Sequence, residues 1–363
     1  MAFWERNMQK LCLILFCILC LCGSAAASDL VDSMDLQSAL EPEAQALLDG
    51  IDLEHANLTD GIRQVLEGTL EPSGGYIKSA LAVCGQMLAV CILCSVVGGM
   101  EQSAIPKVAG VAGALAVSAI GLCALRSLSL AGTDTLDQLR TYCDTLLPAL
   151  AMTTASCGGI SAASTLYVGS MVFVDLLVRV VTVLLQPLVY IYLALACAGA
   201  AIGNKILESL QELVGWLIST SLKTILFVFT AYLTISGAIS GNADATTVKA
   251  AKLTLSGVVP VVGSMISDAS ETLVVSASIL RNSIGIFGML AVLAICGLPF
   301  LQALIRYLVL KLTAAVSSMF DISGISAVIG AFSRVTGYLL AMTGTCALML
   351  MISFVCYIKV VVC

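Results

Sequence analysis

The chain has 363 residues, 59% of them hydrophobic and 11% charged, with a net charge of −6. Soluble domains carry roughly 25% charged residues, so a mean hydropathy of +1.04 excludes a water-facing surface and points to an all-α, polytopic membrane protein. The sequence has no dense basic patch, which excludes a nucleic-acid footprint.

Residues 1–27 read as a signal peptide. Arg6 and Lys10 precede the apolar run LCLILFCILCLC, and GSAAAS offers small residues at Ala25 and Ala27, suited to cleavage after Ala27. An uncleaved anchor and lipidation at Cys22 are the alternatives, the second weakened by the bulky Leu21. Residues 28–75 form an acidic, extracytoplasmic helical region with eleven acids and one base, Arg63. Ala44, Leu47, Leu48 and Ile51, then Leu58, Ile62, Val65 and Leu66, fall at helical spacing. Thr59 or Asp60 is the expected N-cap of the second helix. So short a region cannot build a strong core alone, so it is expected to lean on the membrane body or on a partner.

Residues 76–363 form the polytopic membrane domain. Its first two spans, 76–99 and 108–125, are each near the ~20 residues that cross a bilayer. Residues 133–150 mix Asp134, Asp137, Arg140 and Asp144 with leucines, and read as a separate amphipathic helix at the interface. The apolar run 166–202 is too long for one straight span, and a break is expected at Gln186–Pro187, giving two helices or one span plus a re-entrant half. An amphipathic helix over 203–220 precedes a span over 222–240 and a polar loop bearing Lys249 and Lys252. A span over 284–304, broken at Pro299, and a last one over 335–358 complete six or seven full crossings with one or two partial ones; six is the preferred count. Basic residues in the loops barely separate the two topologies.

Charges inside this apolar body are the candidate functional residues. Asp175 and Arg179 stand four apart on one helix face. A lone charge at a bilayer centre costs ~2.5–3.5 kcal/mol on insertion scales, so either pairing or a wet cavity is expected. Residues 256–273, SGVVPVVGSMISDASETL, interrupt an apolar run with Pro260 and Gly263 and then place Asp268 and Glu271. Asp-Ala-Ser-Glu has the form of a capping box that starts a helix at Ala269. Broken helices persist at membrane depth only when sheltered by protein or lining water, so these carboxylates either cap the next helix alone or also face a conduit. Arg281 closes that polar helix and joins the conduit candidates. Gly199 and Gly203, Gly237 and Gly241, and Gly285 with Gly288 have close-packing spacing, expected to serve contacts within the chain or between copies in a homo-oligomer.

Enzyme chemistry finds little support. There is no H-E-x-x-H and no Walker loop, and His55 is the sole histidine. Gly159-Ile-Ser161-Ala and Gly324-Ile-Ser326-Ala have a hydrolase look, but neither has a histidine base nearby. The Cys91-x-x-Cys94 spacing lies in a membrane helix and reads as apolar packing. No catalytic residue, cofactor or metal is expected.

The segment 231–288, AYLTISGAISGNADATTVKAAKLTLSGVVPVVGSMISDASETLVVSASILRNSIGIFG, resembles the core signature of the stage III sporulation protein AE family. The order of signal peptide, acidic helical stretch and multi-span body resembles that family too. The resemblance implies a mother-cell membrane component of the transenvelope complex of endospore-forming bacteria. Implied partners are the other stage III sporulation A operon proteins, including a secretion-type ATPase and ring-forming proteins, and stage II sporulation protein Q on the forespore side. The expectation is a non-catalytic, permease-like subunit of that channel, surrounded by membrane lipid. A self-contained secondary transporter, which predicts inverted repeats, and a non-conducting scaffold that recruits partners through its acidic N-terminal region are the rival readings.

Overall fold

The computed structural model describes residues 40–48, 58–70, 73–98, 105–157, 160–235, 262–320 and 323–359. Between 262 and 281 it describes the backbone alone. All regular structure among these residues is helical. The elements are α1 (Pro42–Leu48), α2 (Leu58–Leu70), α3 (Ser73–Gly98), α4 (Ile105–Ser156), α5 (Ile160–Arg179), a π-helical segment (Val180–Leu185), α6 (Gln186–Ile202), α7 (Lys205–Ile235), α8 (Val262–Ser317), a short 3₁₀ turn (Ser318–Phe320) and α9 (Ser323–Lys359).

Among the described residues, six helical stretches are long and apolar enough to cross a membrane: Gly74–Val97, Val108–Ser156, Ile160–Ile202, Lys205–Ile235, Asn282–Phe320 and Gly324–Ile358. The chain is a multi-pass membrane protein with an all-α bundle. The most apolar stretch of the fifth is 61% buried, against 22% in the first, so α8 is central and α3 peripheral. Around α8, α9 packs along its length, and α4 touches both. Leu290, Val292, Val328, Ile329, Phe332 and Phe354 make this centre and are fully or almost fully buried.

Several expected breaks are absent, for physical reasons. The span over 108–125 and the helix over 133–150 are one 52-residue helix, α4, because no residue stronger than Gly132 interrupts the pattern between them. The amphipathic stretch after Gly203 and the next span are likewise one 31-residue helix, α7. Pro299 lies inside α8 without ending it, as membrane bundles tolerate when neighbouring groups satisfy the freed carbonyl. At Gln186–Pro187 the chain stays helical but widens: the Gln186 N–H bonds the Val181 carbonyl, five residues back. Proline's ring clashes with the carbonyl four residues before it, and the π turn relieves that crowding.

The outward face of α4 marks where the bilayer sits. Val108, Leu115, Leu122 and Leu130 are exposed, with Arg126 and Ser127 among them, whereas the exposed positions over 131–144 are Asp134, Asp137, Thr141 and Asp144, and Met152 is exposed further on. At 1.5 Å per residue, the apolar run covers about 34 Å, close to a hydrocarbon layer of ~30 Å. The α3 stretch Gly74–Val97 has 24 residues and matches the same layer. Helix α2 stands beyond the layer, beside α8: Gly61 meets the Leu290 side chain, and Thr69 approaches Gly297. The acidic N-terminal region thus leans on the membrane body, with Leu40, Ala44, Leu48 and Val65 buried there. Helix α2 begins at Leu58, so Thr59 and Asp60 lie in its first turn instead of ahead of it.

Candidate functional site

Helices α4 and α5 pack against each other as an antiparallel pair. Their register brings Arg140 of α4 opposite Asp175 of α5, both well outside the apolar run of α4. Arg140 Nη2 lies 2.5 Å from Asp175 Oδ1. Arg179, one turn along α5, donates from Nε to Asp175 Oδ2 at 2.7 Å. One carboxylate therefore bridges two guanidinium groups. The Asp175 side chain is 33% exposed and that of Arg179 70%, so the carboxylate is the sheltered member and the second arginine faces outward. Each exposed arm of such a network is worth under ~1 kcal/mol; sharing one acceptor adds geometric restraint.

The cluster lines an open crevice of about 520 Å³ together with Asp144, Cys143, Met171, Val172 and Leu176. Two arginines and two aspartates stand against an apolar wall. This surface can bind or order a polar chain or a string of waters. Among the described residues no group of three His, Cys, Asp or Glu could hold a metal ion.

Sequence spacing anticipated the Asp175–Arg179 pair but not Arg140. The pattern TDTLDQLRTYCD shows Arg140 on a polar face, yet only the register of α4 against α5 supplies its partner. The Asp268 capping box is corrected: α8 starts at Val262, so Gly263 lies in its first turn and Asp268 and Glu271 within the helix; no proline follows Pro260 before Asp268 to stop the helix from starting earlier. Arg281 lies further along the same helix. Pro260, Gly237 and Gly241 lie outside the described residues.

Gly199 and Gly203 are not a packing pair. Gly203 adopts φ 69°, the left-handed cap that ends α6, and its N–H bonds the Gly199 carbonyl at 2.8 Å. Gly285 and Gly288 do stand at close contacts, against Ile358 and Leu146 respectively. Further close approaches at Gly121 to Phe332, Gly169 to Tyr232 and Gly215 to Tyr338 carried no distinctive spacing in the sequence.

The sequence matches the family model of stage III sporulation protein AE over residues 49–361. A relative named stage III sporulation protein AE, from Bacillus subtilis (strain 168), is 23% identical over 239 residues, covering 64% of this chain. The alignment spans 59% of that relative's own length. No solved structure matches the chain.

Proposed function

The chain belongs to the stage III sporulation protein AE family, and from that premise we propose that it is a permease-like membrane subunit of the channel linking mother cell and forespore during endospore formation. It resides in the mother-cell membrane around the forespore and catalyses no reaction of its own. Its partners are the other stage III sporulation A operon proteins, the ATPase and ring-forming components included, and stage II sporulation protein Q.

The observation that carries this reading is the charged crevice. A shared carboxylate between two arginines, set in an open groove of an apolar bundle, suits a polar path or a partner's polar segment better than lipid. Helix α2 packs at the same end: it touches Leu290, while Gly288 touches Leu146 near the crevice. An extracytoplasmic N-terminal region would turn the crevice toward the forespore side. The stretch of α8 with Asp268, Glu271 and Arg281 precedes Gly285 at that end.

The test is joint neutralisation by Arg140→Gln, Asp175→Asn and Arg179→Gln. Spore yield is expected to fall sharply while the protein still accumulates in the membrane. Normal spore yield and normal capture of partners would remove the crevice from the function.

A further inference from the structure

The π turn before Pro187 leaves a gap in its own hydrogen bonding. The Gln186 N–H bonds the Val181 carbonyl, and Pro187 has no N–H to give. The Thr182 carbonyl is therefore met neither by the residue four further on nor by the one five further on. The Gln186 side chain reaches across to α4, where its Nε2 donates to Ser129 Oγ at 3.0 Å. Ser129 is only 3% exposed. Ser118 and Thr133 donate back to carbonyls of their own helix. Ser129 instead accepts the Gln186 bond, and its own hydroxyl proton meets no acceptor among the described residues.

Ser129 and Gln186 line a small void between α4, the π segment and α9, together with Gly132, Thr133, Leu339 and Thr343. Its volume is about 10 Å³, at the lower end of the roughly 10–15 Å³ that a single water needs. Thr133 and Thr343 commit their hydroxyl protons to carbonyls of the preceding turn and keep lone pairs with which to accept. A buried hydroxyl donor left without an acceptor is destabilising. The void is thus bordered by one unused donor and several acceptors, the pattern that a water completes.

We propose that this void is the binding site of one structural water. The water accepts from the Ser129 hydroxyl and donates to two of the three acceptors Thr133 Oγ1, Thr343 Oγ1 and Gln186 Oε1. That supplies the three hydrogen bonds typical of a buried water. One molecule then ties α4, α6 and α9 together beside the widened turn, near the level where exposed Leu130 of α4 gives way to Asp134. The site stands apart from the α4–α5 crevice and is independent of the channel reading.

Gly132 supplies the test, because a Cβ there would lie 3.9 Å from Thr343 Cγ2, in the wall of the void. In a dry void Gly132→Ala should stabilise more than Gly132→Ser, since Ala is the better helix former and a methyl group suits apolar space. In a hydrated void the methyl group expels the water and leaves the Ser129 hydroxyl without an acceptor, whereas Gly132→Ser brings an oxygen to the water's place. Thermal melts of the full-length chain in detergent should therefore put Gly132→Ser above Gly132→Ala, the reverse of their helix propensities. A crystal structure of the unaltered full-length chain, fine enough to place waters, should show one within hydrogen-bond distance of Ser129 Oγ. A dry void there overturns the proposal, and so does Gly132→Ala melting at or above Gly132→Ser. If neither variant folds, the crystal structure decides.

Discussion

At the scale of single residues, the geometry separates side chains whose polar atoms matter from those whose bulk matters. Asp175 satisfies two arginines, so Asp175→Asn should lower stability in detergent by about 1 kcal/mol, with partial recovery in Asp175→Glu; a thermal melt reads both. Tyr142 presents the opposite case. Its side chain is fully buried and its hydroxyl makes no hydrogen bond among the described residues. A buried unsatisfied hydroxyl costs about 1–3 kcal/mol, so Tyr142→Phe should leave the melting temperature unchanged or raise it. A clear drop would show that the hydroxyl has a partner. Gly203→Ala should cost about 1 kcal/mol, since a Cβ is strained at positive φ. The Gly199–Gly203 spacing shows how far sequence reading reaches here: it reveals that glycine is required, but a helix-packing face and a left-handed cap share that spacing, and only the backbone angle tells them apart.

At the scale of elements, the helices were legible and their lengths were not. Apolar periodicity locates every span, but nothing local says whether an amphipathic stretch continues the helix before it. In α4 and α7 it does: α4 packs along α9 and α7 along α6 as single continuous helices. The π segment before Pro187 has a specific consequence. It accommodates one extra residue, so deleting the exposed Val183 should restore α-helical winding and leave both flanks in register. The altered protein should still elute as a single species. Deleting Val172 from regular α-helix should instead rotate everything after it by about 100°, separating Gln186 from Ser129, which it now bonds at 3.0 Å, and give aggregated protein. Equal behaviour of the two deletions would contradict the π assignment's role.

At the scale of the whole molecule, the bundle is longer than the bilayer is thick. The apolar outer faces of α3 and α4 place the hydrocarbon at one part of its length, and the charged crevice, α2 and the start of α8's bundle contacts share the part beyond. Composition announced a membrane protein and an acidic N-terminal region, and Asp175 with Arg179 could be read from their spacing. What could not be read is the level at which each charge sits, because that depends on how six helices slide past one another. Impermeant thiol labelling measures it most directly, in right-side-out and inverted vesicles carrying single cysteines. Val172→Cys in the crevice and Glu67→Cys on α2 should react from the same face of the membrane, and Leu115→Cys on the outer face of α4 from neither. A crevice cysteine silent from both faces, or reacting from the face opposite Glu67→Cys, would contradict the placement on which the account rests.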